Sequence, residues 1–158
     1  MEIERKFLLL GVPDFSGLSD VTSSHLRQAY VTRHVNGVVR VRQDNEDYIL
    51  TVKGSGTLAR EEYEKTIEPG MAHLLFSMAT GTVIEKTRHY VPGPEGLLHE
   101  VDVFSGDLAG LVLMEVEFPD EASAKSYVPS LFAELIIREV TEESVYSNSK
   151  LSLHGMPK

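Results

Sequence analysis

The chain has 158 residues, of which 42% are apolar and 25% are charged, a composition typical of a soluble globular protein forming one domain over residues 1–158. It contains no cysteine, which excludes disulfides and thiolate metal sites, so any metal would need oxygen or imidazole ligands. The net charge of -9 argues against a stable nucleic-acid partner but not against a local basic pocket. No apolar run suits a membrane span, and the charged opening residues do not resemble a secretory signal, so the expected location is the cytoplasm.

A series of segments shows the residue alternation or the turn signals that predict β-strands. In chain order these eight segments are residues 1–10, 25–34, 37–43, 47–53, 60–67, 83–91, 97–104 and 110–118. Asn36-Gly37, between the second and third segments, is a strong hairpin signal. Mostly sequential strands of this kind predict an α+β fold built on an eight-stranded antiparallel β-barrel, with a few helices packed outside.

Helices are predicted in the remaining segments. Pro69 suits a first helical turn, and the apolar residues after it follow helical spacing until Gly81 ends the pattern. Asp120 is a natural N-cap for a second helix. Residues 129–137 are apolar and compatible with either helix or strand, and residues 146–153 favour a short final helix.

Charged residues recur at every second position along the predicted strands, so they share one face of the sheet. The sets are Glu2, Glu4 and Lys6; Arg40 and Arg42; Thr51 and Lys53; Arg60, Glu62 and Glu64; Lys86 and Arg88; Glu100 and Asp102; Glu115 and Glu117. An ordinary sheet with one wet face would explain any single set. A barrel that packs its apolar face against helices would instead enclose all of them, at a desolvation cost that favours a functional reason.

Acids and bases gathered in one lumen favour a metal–polyphosphate complex. Lysine and arginine from several strands suit phosphate oxygens. Clustered carboxylates without cysteine suit Mg²⁺ or Mn²⁺, which bridge phosphate oxygens and polarise water. The expected partner is therefore a small-molecule triphosphate. The six histidines are scattered, and each is expected to be structural or exposed rather than a metal ligand.

The opening Glu2-x-Glu4-x-Lys6 resembles the ExExK motif of the CYTH superfamily, the triphosphate tunnel metalloenzymes, and the strand motifs listed above match the family in order. The resemblance implies an eight-stranded tunnel. It implies metal binding by Glu2, Glu4, Glu115 and Glu117, and triphosphate binding by Lys6, Arg40, Arg42, Lys53, Arg60, Lys86 and Arg88. Glu62 and Glu64 are expected to help a second ion or the attacking water, and Tyr30 matches a position associated with hydrolysis. Tyr30 is equally compatible with a buried structural aromatic.

The first functional hypothesis is metal-dependent hydrolysis of inorganic tripolyphosphate to pyrophosphate and phosphate. One alternative keeps the fold and changes the reaction to that of a class IV adenylyl cyclase, which forms cyclic AMP and pyrophosphate from ATP. Another organic triphosphate, such as thiamine triphosphate, also remains open as the substrate. A non-enzymatic polyphosphate-binding module is the third class, although pure binding would need only the basic residues.

Overall fold

The computed structural model describes residues 1–158, which form ten β-strands and three α-helices. The strands are β1 (Glu2–Leu9), β2 (Thr22–His34), β3 (Gly37–Asp44), β4 (Asp47–Gly54), β5 (Ala59–Arg60), β6 (Glu62–Thr66), β7 (Thr80–Pro92), β8 (Leu98–Phe104), β9 (Val112–Glu117) and β10 (Ile136–Glu139). The helices are α1 (Pro69–Ser77), α2 (Glu121–Ser126) and α3 (Asn148–His154). None of these helices has the length and apolar character needed to cross a membrane.

The strands form one antiparallel sheet in the order β10-β1-β9-β8-β7-β2-β3-β4-β6. Its two ends meet through β5, because Arg60 lies opposite Glu2 and Ala59 lies opposite Ile3. This contact curls the sheet into a barrel with helices outside, as the residue alternation predicts. One face of every strand therefore points into a common lumen.

The barrel has ten strands instead of the eight expected, for two physical reasons. The predicted segment 60–67 divides at Glu61, because β5 pairs with β1 whereas β6 pairs with β4. A single straight strand cannot reach both neighbours, so the chain bends between them. The tenth strand comes from the ambiguous segment 129–137, whose end becomes β10 and pairs with the second half of β1.

Apolar side chains cover the outer face of the sheet, in two clusters. The larger cluster lies on β1, β7, β8 and β9 and includes Phe7, Met114 and Val116, with α2 packed over it through Ala124. The smaller joins Ala29 and Val41 to Ala72 of α1. These contacts turn the apolar face outward against the helices and leave the opposite face for the lumen.

A third apolar cluster lies at one end of the lumen. Leu113 and Phe104 continue the lumen-facing rows of β9 and β8 by one further position, and they pack with Leu151 of α3 and Tyr146 just before it. The charged rows of these strands thus become apolar where α3 covers them. The C-terminal helix forms part of the wall at this end of the barrel.

The predicted cap of α2 is present, whereas the predicted end of α1 is not. The Asp120 carboxylate accepts a hydrogen bond of 2.7 Å from the backbone N–H of Ser123 at the start of α2. Gly81 does not stop α1, which ends at Ser77; it lies within β7 with φ +81°, and an added Cβ would come within 2.6 Å of the Ser152 carbonyl oxygen. Gly81 therefore allows β7 and α3 to approach closely.

Candidate active site in the barrel lumen

Two connected cavities run along the lumen, one toward each end. The outer cavity has a volume of about 500 Å³, and the inner cavity beside α3 has a volume of about 320 Å³. Both are lined by the same six charged side chains: Glu4, Arg40, Arg42, Lys53, Arg88 and Glu115. The lumen thus brings together residues from β1, β3, β4, β7 and β9 that are far apart in sequence.

The wall formed by β1 and β9 is acidic. Glu4 lies directly opposite Glu117, and Lys6 lies opposite Glu115. Burial, reinforced by Glu115 and Glu2, raises the pKa of Glu4 to about 8. Burial and the nearby Glu2 also raise the pKa of Glu117, which has no ion-pair partner within 4.0 Å. Negative charge on this wall is only partly compensated.

The cations around this wall come from three strands. Lys53 contacts Glu2 at 3.0 Å, and Arg60 contacts Glu2 at 3.4 Å and Glu4 at 3.3 Å. Lys6 contacts Glu115 at 3.2 Å. Burial alone would raise the pKa of Glu115, but Lys6 and the neighbouring arginine Arg88 hold it well below its usual range. Glu115 is therefore firmly ionised.

The opposite wall, on β3, carries positive charge with few partners. The buried Arg40 donates to Thr51 and lies 3.6 Å from Glu64, but its Nε has no hydrogen-bond partner. Arg42 forms no ion pair and donates only to the Gln28 side chain at 3.2 Å. Burial, with repulsion from Arg40 and Arg88, lowers the pKa of Arg42 to about 10. This wall can therefore accept an anion.

A buried ion network lies beneath the cavity on β7 and β8. Arg88 donates through Nε and Nη2 to the two carboxylate oxygens of Asp102, at 2.7 and 2.8 Å. Arg88 also contacts Glu100, and it lies 3.5 Å from Glu115. This bidentate contact holds the guanidinium in one orientation while it still lines both cavities.

Lys86 lies deeper than expected from the sequence. Its side chain is fully buried, its ammonium donates to Asp102 at 2.6 Å and to Asn148 at 3.2 Å, and it does not line either cavity. Asp102 is also fully buried and does not line them, although it was expected to face the tunnel space. Both residues support the lumen from behind, because each satisfies the other's charge. Direct contact of Lys86 with a triphosphate stays a prediction.

The three residues expected to help hydrolysis occupy two different places. Glu62 and Glu64 line the outer cavity, where Glu62 lies 3.8 Å from Lys53. The Glu64 side chain is 47% exposed, so it faces the solvent-filled mouth. Tyr30 lines the inner cavity and its hydroxyl accepts a hydrogen bond of 3.3 Å from Gln28. Glu62 and Glu64 therefore lie toward one end of the lumen and Tyr30 toward the other.

Comparison with known proteins identifies relatives of this chain. Residues 1–151 match the CYTH domain family. The chain belongs to the CYTH family. Over 154 residues it is 40% identical to the inorganic triphosphatase of Nitrosomonas europaea, covering 96% of this chain and 97% of that protein. Over 152 residues it is 40% identical to the inorganic triphosphatase of Acetivibrio thermocellus, covering 95% and 92%.

A solved CYTH structure shows the same fold. The crystal structure of the inorganic triphosphatase NE1496 superimposes with a TM-score of 0.70 and 36% sequence identity, over 100% of this chain and 97% of that one. The sequence resemblance to the CYTH superfamily is thus confirmed. The tunnel architecture is confirmed with it, with the strand count corrected as described above.

The four carboxylates expected to bind a metal in this CYTH lumen are present but not assembled around one point. No group of three or more histidine, aspartate or glutamate side chains is arranged to hold a metal ion. The donor set nevertheless fits a hard divalent cation, because Glu4 and Glu117 lie opposite each other and both have raised pKa values. Lys53 and Arg60 hold the oxygens of Glu2 in cation contacts.

Several side chains in the CYTH lumen escaped the sequence analysis. Gln28, two positions before Tyr30 on β2, was detectable from strand alternation because it shares the lumen face. Tyr90 and Asp44 also line the outer cavity, two positions after Arg88 and Arg42 respectively, so the same alternation could have found them. Asn148 belongs to a helix, so no strand rule could have placed it beside Lys86.

Proposed function

We propose that this chain acts as a single CYTH tunnel domain that hydrolyses a linear triphosphate, with inorganic tripolyphosphate as the first substrate to test. Two relatives that share 40% of its residues over nearly their whole length are named inorganic triphosphatases. The lumen supplies the two charge classes that such a substrate needs, cations for phosphate oxygens and carboxylates for a metal.

The observation that carries the proposal is the Arg42 guanidinium without an ion pair, together with the Arg40 Nε without a hydrogen-bond partner, at the same cavity. A buried guanidinium N–H without a partner is costly, and Arg40 Nε is such a group. Arg42 has only an uncharged amide partner. A polyanion in the cavity would supply hydrogen-bond acceptors and negative charge to both side chains, so its binding would be favourable.

The remaining substrate contacts come from the basic residues around the same space. Arg88 is oriented by Asp102, and Lys53 reaches into both cavities. Lys6 and Arg60 line the inner cavity. We assign these side chains, with Arg40 and Arg42, to triphosphate binding. Lys86 adds its charge from behind the wall.

We assign Mg²⁺ or Mn²⁺ binding to Glu2, Glu4, Glu115 and Glu117. Such an ion, when bound, would neutralise phosphate oxygens and lower the pKa of a coordinated water. Burial and neighbouring acids raise the pKa of Glu4 to about 8. A divalent cation would compensate the negative charge of these clustered carboxylates, which supports the assignment. Metal binding would stabilise the ionised form of Glu4 against burial and the neighbouring acids Glu115 and Glu2.

The reaction adds water to a terminal phosphorus. As the new P–O bond forms, the bond from that phosphorus to the bridging oxygen breaks, and pyrophosphate leaves with the bonding electrons. Glu62 or Glu64, at the mouth of the outer cavity, would accept the proton of the attacking water. The arginines would stabilise the charge that develops on the leaving group, and Tyr30 would orient the far end of the substrate.

A substrate panel tests the proposal. Purified protein is incubated with tripolyphosphate, ATP, thiamine triphosphate or pyrophosphate, each with Mg²⁺ or Mn²⁺, and products are resolved by ion chromatography. Release of phosphate and pyrophosphate from tripolyphosphate is expected. Cyclic AMP from ATP would assign a cyclase instead, and tight tripolyphosphate binding without turnover under every condition would assign a binding module.

A further inference from the structure

The first residue of α3 reaches the charged network behind the basic wall. Asn148 lines the inner cavity, and its Oδ1 accepts a hydrogen bond of 3.2 Å from Lys86 Nζ. The other partner of this ammonium is Asp102, at 2.6 Å. Below it lies the ring of Phe104, whose centroid is 5.3 Å away. Asn148 is therefore the one link from α3 to the Lys86 ammonium.

We propose that Asn148 is a positioning residue, which holds the Lys86 ammonium between α3 and Asp102 and so keeps a positive charge behind the triphosphate site. The inference rests on the proposed function, because it gives that charge a polyanion to attract. Asn148 is not assigned a step in the reaction. Its effect on substrate passes through Lys86.

The charged groups around Lys86 determine how strongly the Asn148 contact affects its protonation. Asp102 of β8 and Glu115 of β9 favour its protonated form, whereas Arg88 on its own strand and Arg42 of β3 oppose it. Burial is the largest influence, and with the two arginines it lowers the pKa of Lys86 to about 7. The proton is thus held weakly at neutral pH. An amide oxygen that accepts from the ammonium stabilises its charged form.

The position of Asn148 is itself secured by contacts elsewhere on α3. Arg33 of β2 donates through Nε to Ser149 Oγ at 2.9 Å and through Nη2 to Ser152 Oγ at 2.9 Å. Ser152 donates in turn to the Thr82 carbonyl at 2.8 Å. These bonds fasten α3 to β2 and β7 independently of Lys86. These contacts therefore hold the Asn148 side chain in position beside Lys86.

Two substitutions at this position give opposite predictions. In Asn148→Ala the ammonium loses an acceptor, so the pKa of Lys86 should fall by about one unit, the equivalent of ~1.4 kcal/mol. In Asn148→Asp it gains a carboxylate partner, so the same pKa should rise. Lys86 is titrated directly by NMR of ¹³C-labelled lysine, with Lys86→Met used to assign its signal.

Substrate affinity supplies the functional readout. Tripolyphosphate binding is measured by calorimetry in EDTA for wild type and Asn148→Ala. A one-unit fall in pKa predicts an affinity loss of about tenfold near pH 8 and almost none near pH 5.5, where Lys86 is charged in both proteins. Ser147→Ala is the matched control: it removes the α3 N-cap, which accepts from Lys150 N at 3.2 Å, without touching Lys86.

The outcomes separate this inference from the proposed function. Opposite pKa shifts in the two Asn148 variants, absent from Ser147→Ala, would support the positioning role. Shifts of the same sign, or equal effects in Ser147→Ala, would overturn it and leave Asn148 a residue of helix stability. Failure of wild type to hydrolyse or bind tripolyphosphate would refute the proposed function, while the NMR titration would still decide whether Asn148 controls the charge of Lys86.

Discussion

Glu4 of β1 and Glu117 of β9 are direct cross-strand partners in the wall of the lumen. Like charges placed opposite each other destabilise a sheet. Burial raises the pKa of both carboxyls, and Arg60, 3.3 Å from Glu4, does not offset the effect. Ionising these two carboxyls is therefore costly in the metal-free barrel, and a bound cation would relieve that cost.

Replacement of Glu4 by glutamine should lower tripolyphosphate hydrolysis by about a hundredfold, because a proposed metal ligand loses its charge. Phosphate release is measured across a range of Mg²⁺ and Mn²⁺ concentrations, with circular dichroism as a check of folding. Glu61→Gln is the control, since Glu61 is exposed and does not line either cavity. Near-normal turnover in Glu4→Gln would contradict the assignment.

The same substitution should change how the metal-free protein responds to pH. The pKa of Glu4 is raised in the folded state, from an ordinary value of 4.5 to about 8. The folded protein therefore binds this proton more tightly than the unfolded chain does. Its contribution to stability is complete below pH 4.5 and is lost as pH rises to about 8. Thermal unfolding in EDTA should show a steeper decline over this window in wild type than in Glu4→Gln. Equal slopes would refute the prediction.

Arg42→Ala should weaken tripolyphosphate binding by about tenfold or more while leaving the fold intact, since a charged hydrogen-bonding group is removed. Its one hydrogen bond goes to the Gln28 side chain, so little stability depends on it. Affinity is measured by calorimetry and folding by the unfolding midpoint. Arg27→Ala provides the matched control, because Arg27 pairs with Glu85 on the exposed outer face. Unfolding of Arg42→Ala would instead assign a structural role.

Asp102→Asn should destabilise the barrel by about 3–5 kcal/mol, because it leaves two buried cations without their shared carboxylate. Those cations are Lys86 and Arg88, both within 2.8 Å of Asp102 oxygens. Urea unfolding measures the change. Glu121→Gln, which removes an exposed pair with Lys125, should leave the midpoint almost unchanged. A midpoint for Asp102→Asn equal to that of the control would argue against the network.

Two glycine substitutions test the close contact between β7 and α3 at Gly81. Gly81→Ala adds a Cβ that would lie 2.6 Å from the Ser152 carbonyl oxygen, at a residue with φ +81°. A loss of about 1–3 kcal/mol is expected from backbone strain alone. Gly70→Ala, within α1, meets nothing within 4 Å and should be neutral or stabilising by about 0.5–1 kcal/mol. Equal unfolding midpoints in the two variants would show that α3 does not depend on this close approach.

The lumen residues could be predicted from the sequence because strand alternation relates residues only two positions apart. Once Glu2 and Glu4 lie on one face of β1, their neighbours across the sheet need only the register to meet them. The apolar residues at the alternate positions likewise indicated which face of each strand packs outward against the helices. The family, the barrel and the convergence of most charged residues could therefore be anticipated.

Other features depend on contacts that no local pattern encodes. The bend at Glu61 exists because β1 and β4 compete for one segment. β10 forms only where the second half of β1 has a free edge. The buried Lys86 ammonium contacts Asn148, 62 residues later in the chain. Features of this kind depend on contacts between distant segments, so they can be identified only from the three-dimensional structure.

The two ends of the lumen carry different charges. Asp44, Glu62 and Glu64 ring the outer entrance, so a naked polyanion is repelled there unless counterions accompany it. The inner cavity beside α3 is lined by Lys150 and Ser149 instead. An anion along the lumen would therefore meet carboxylates toward one end and an ammonium group toward the other.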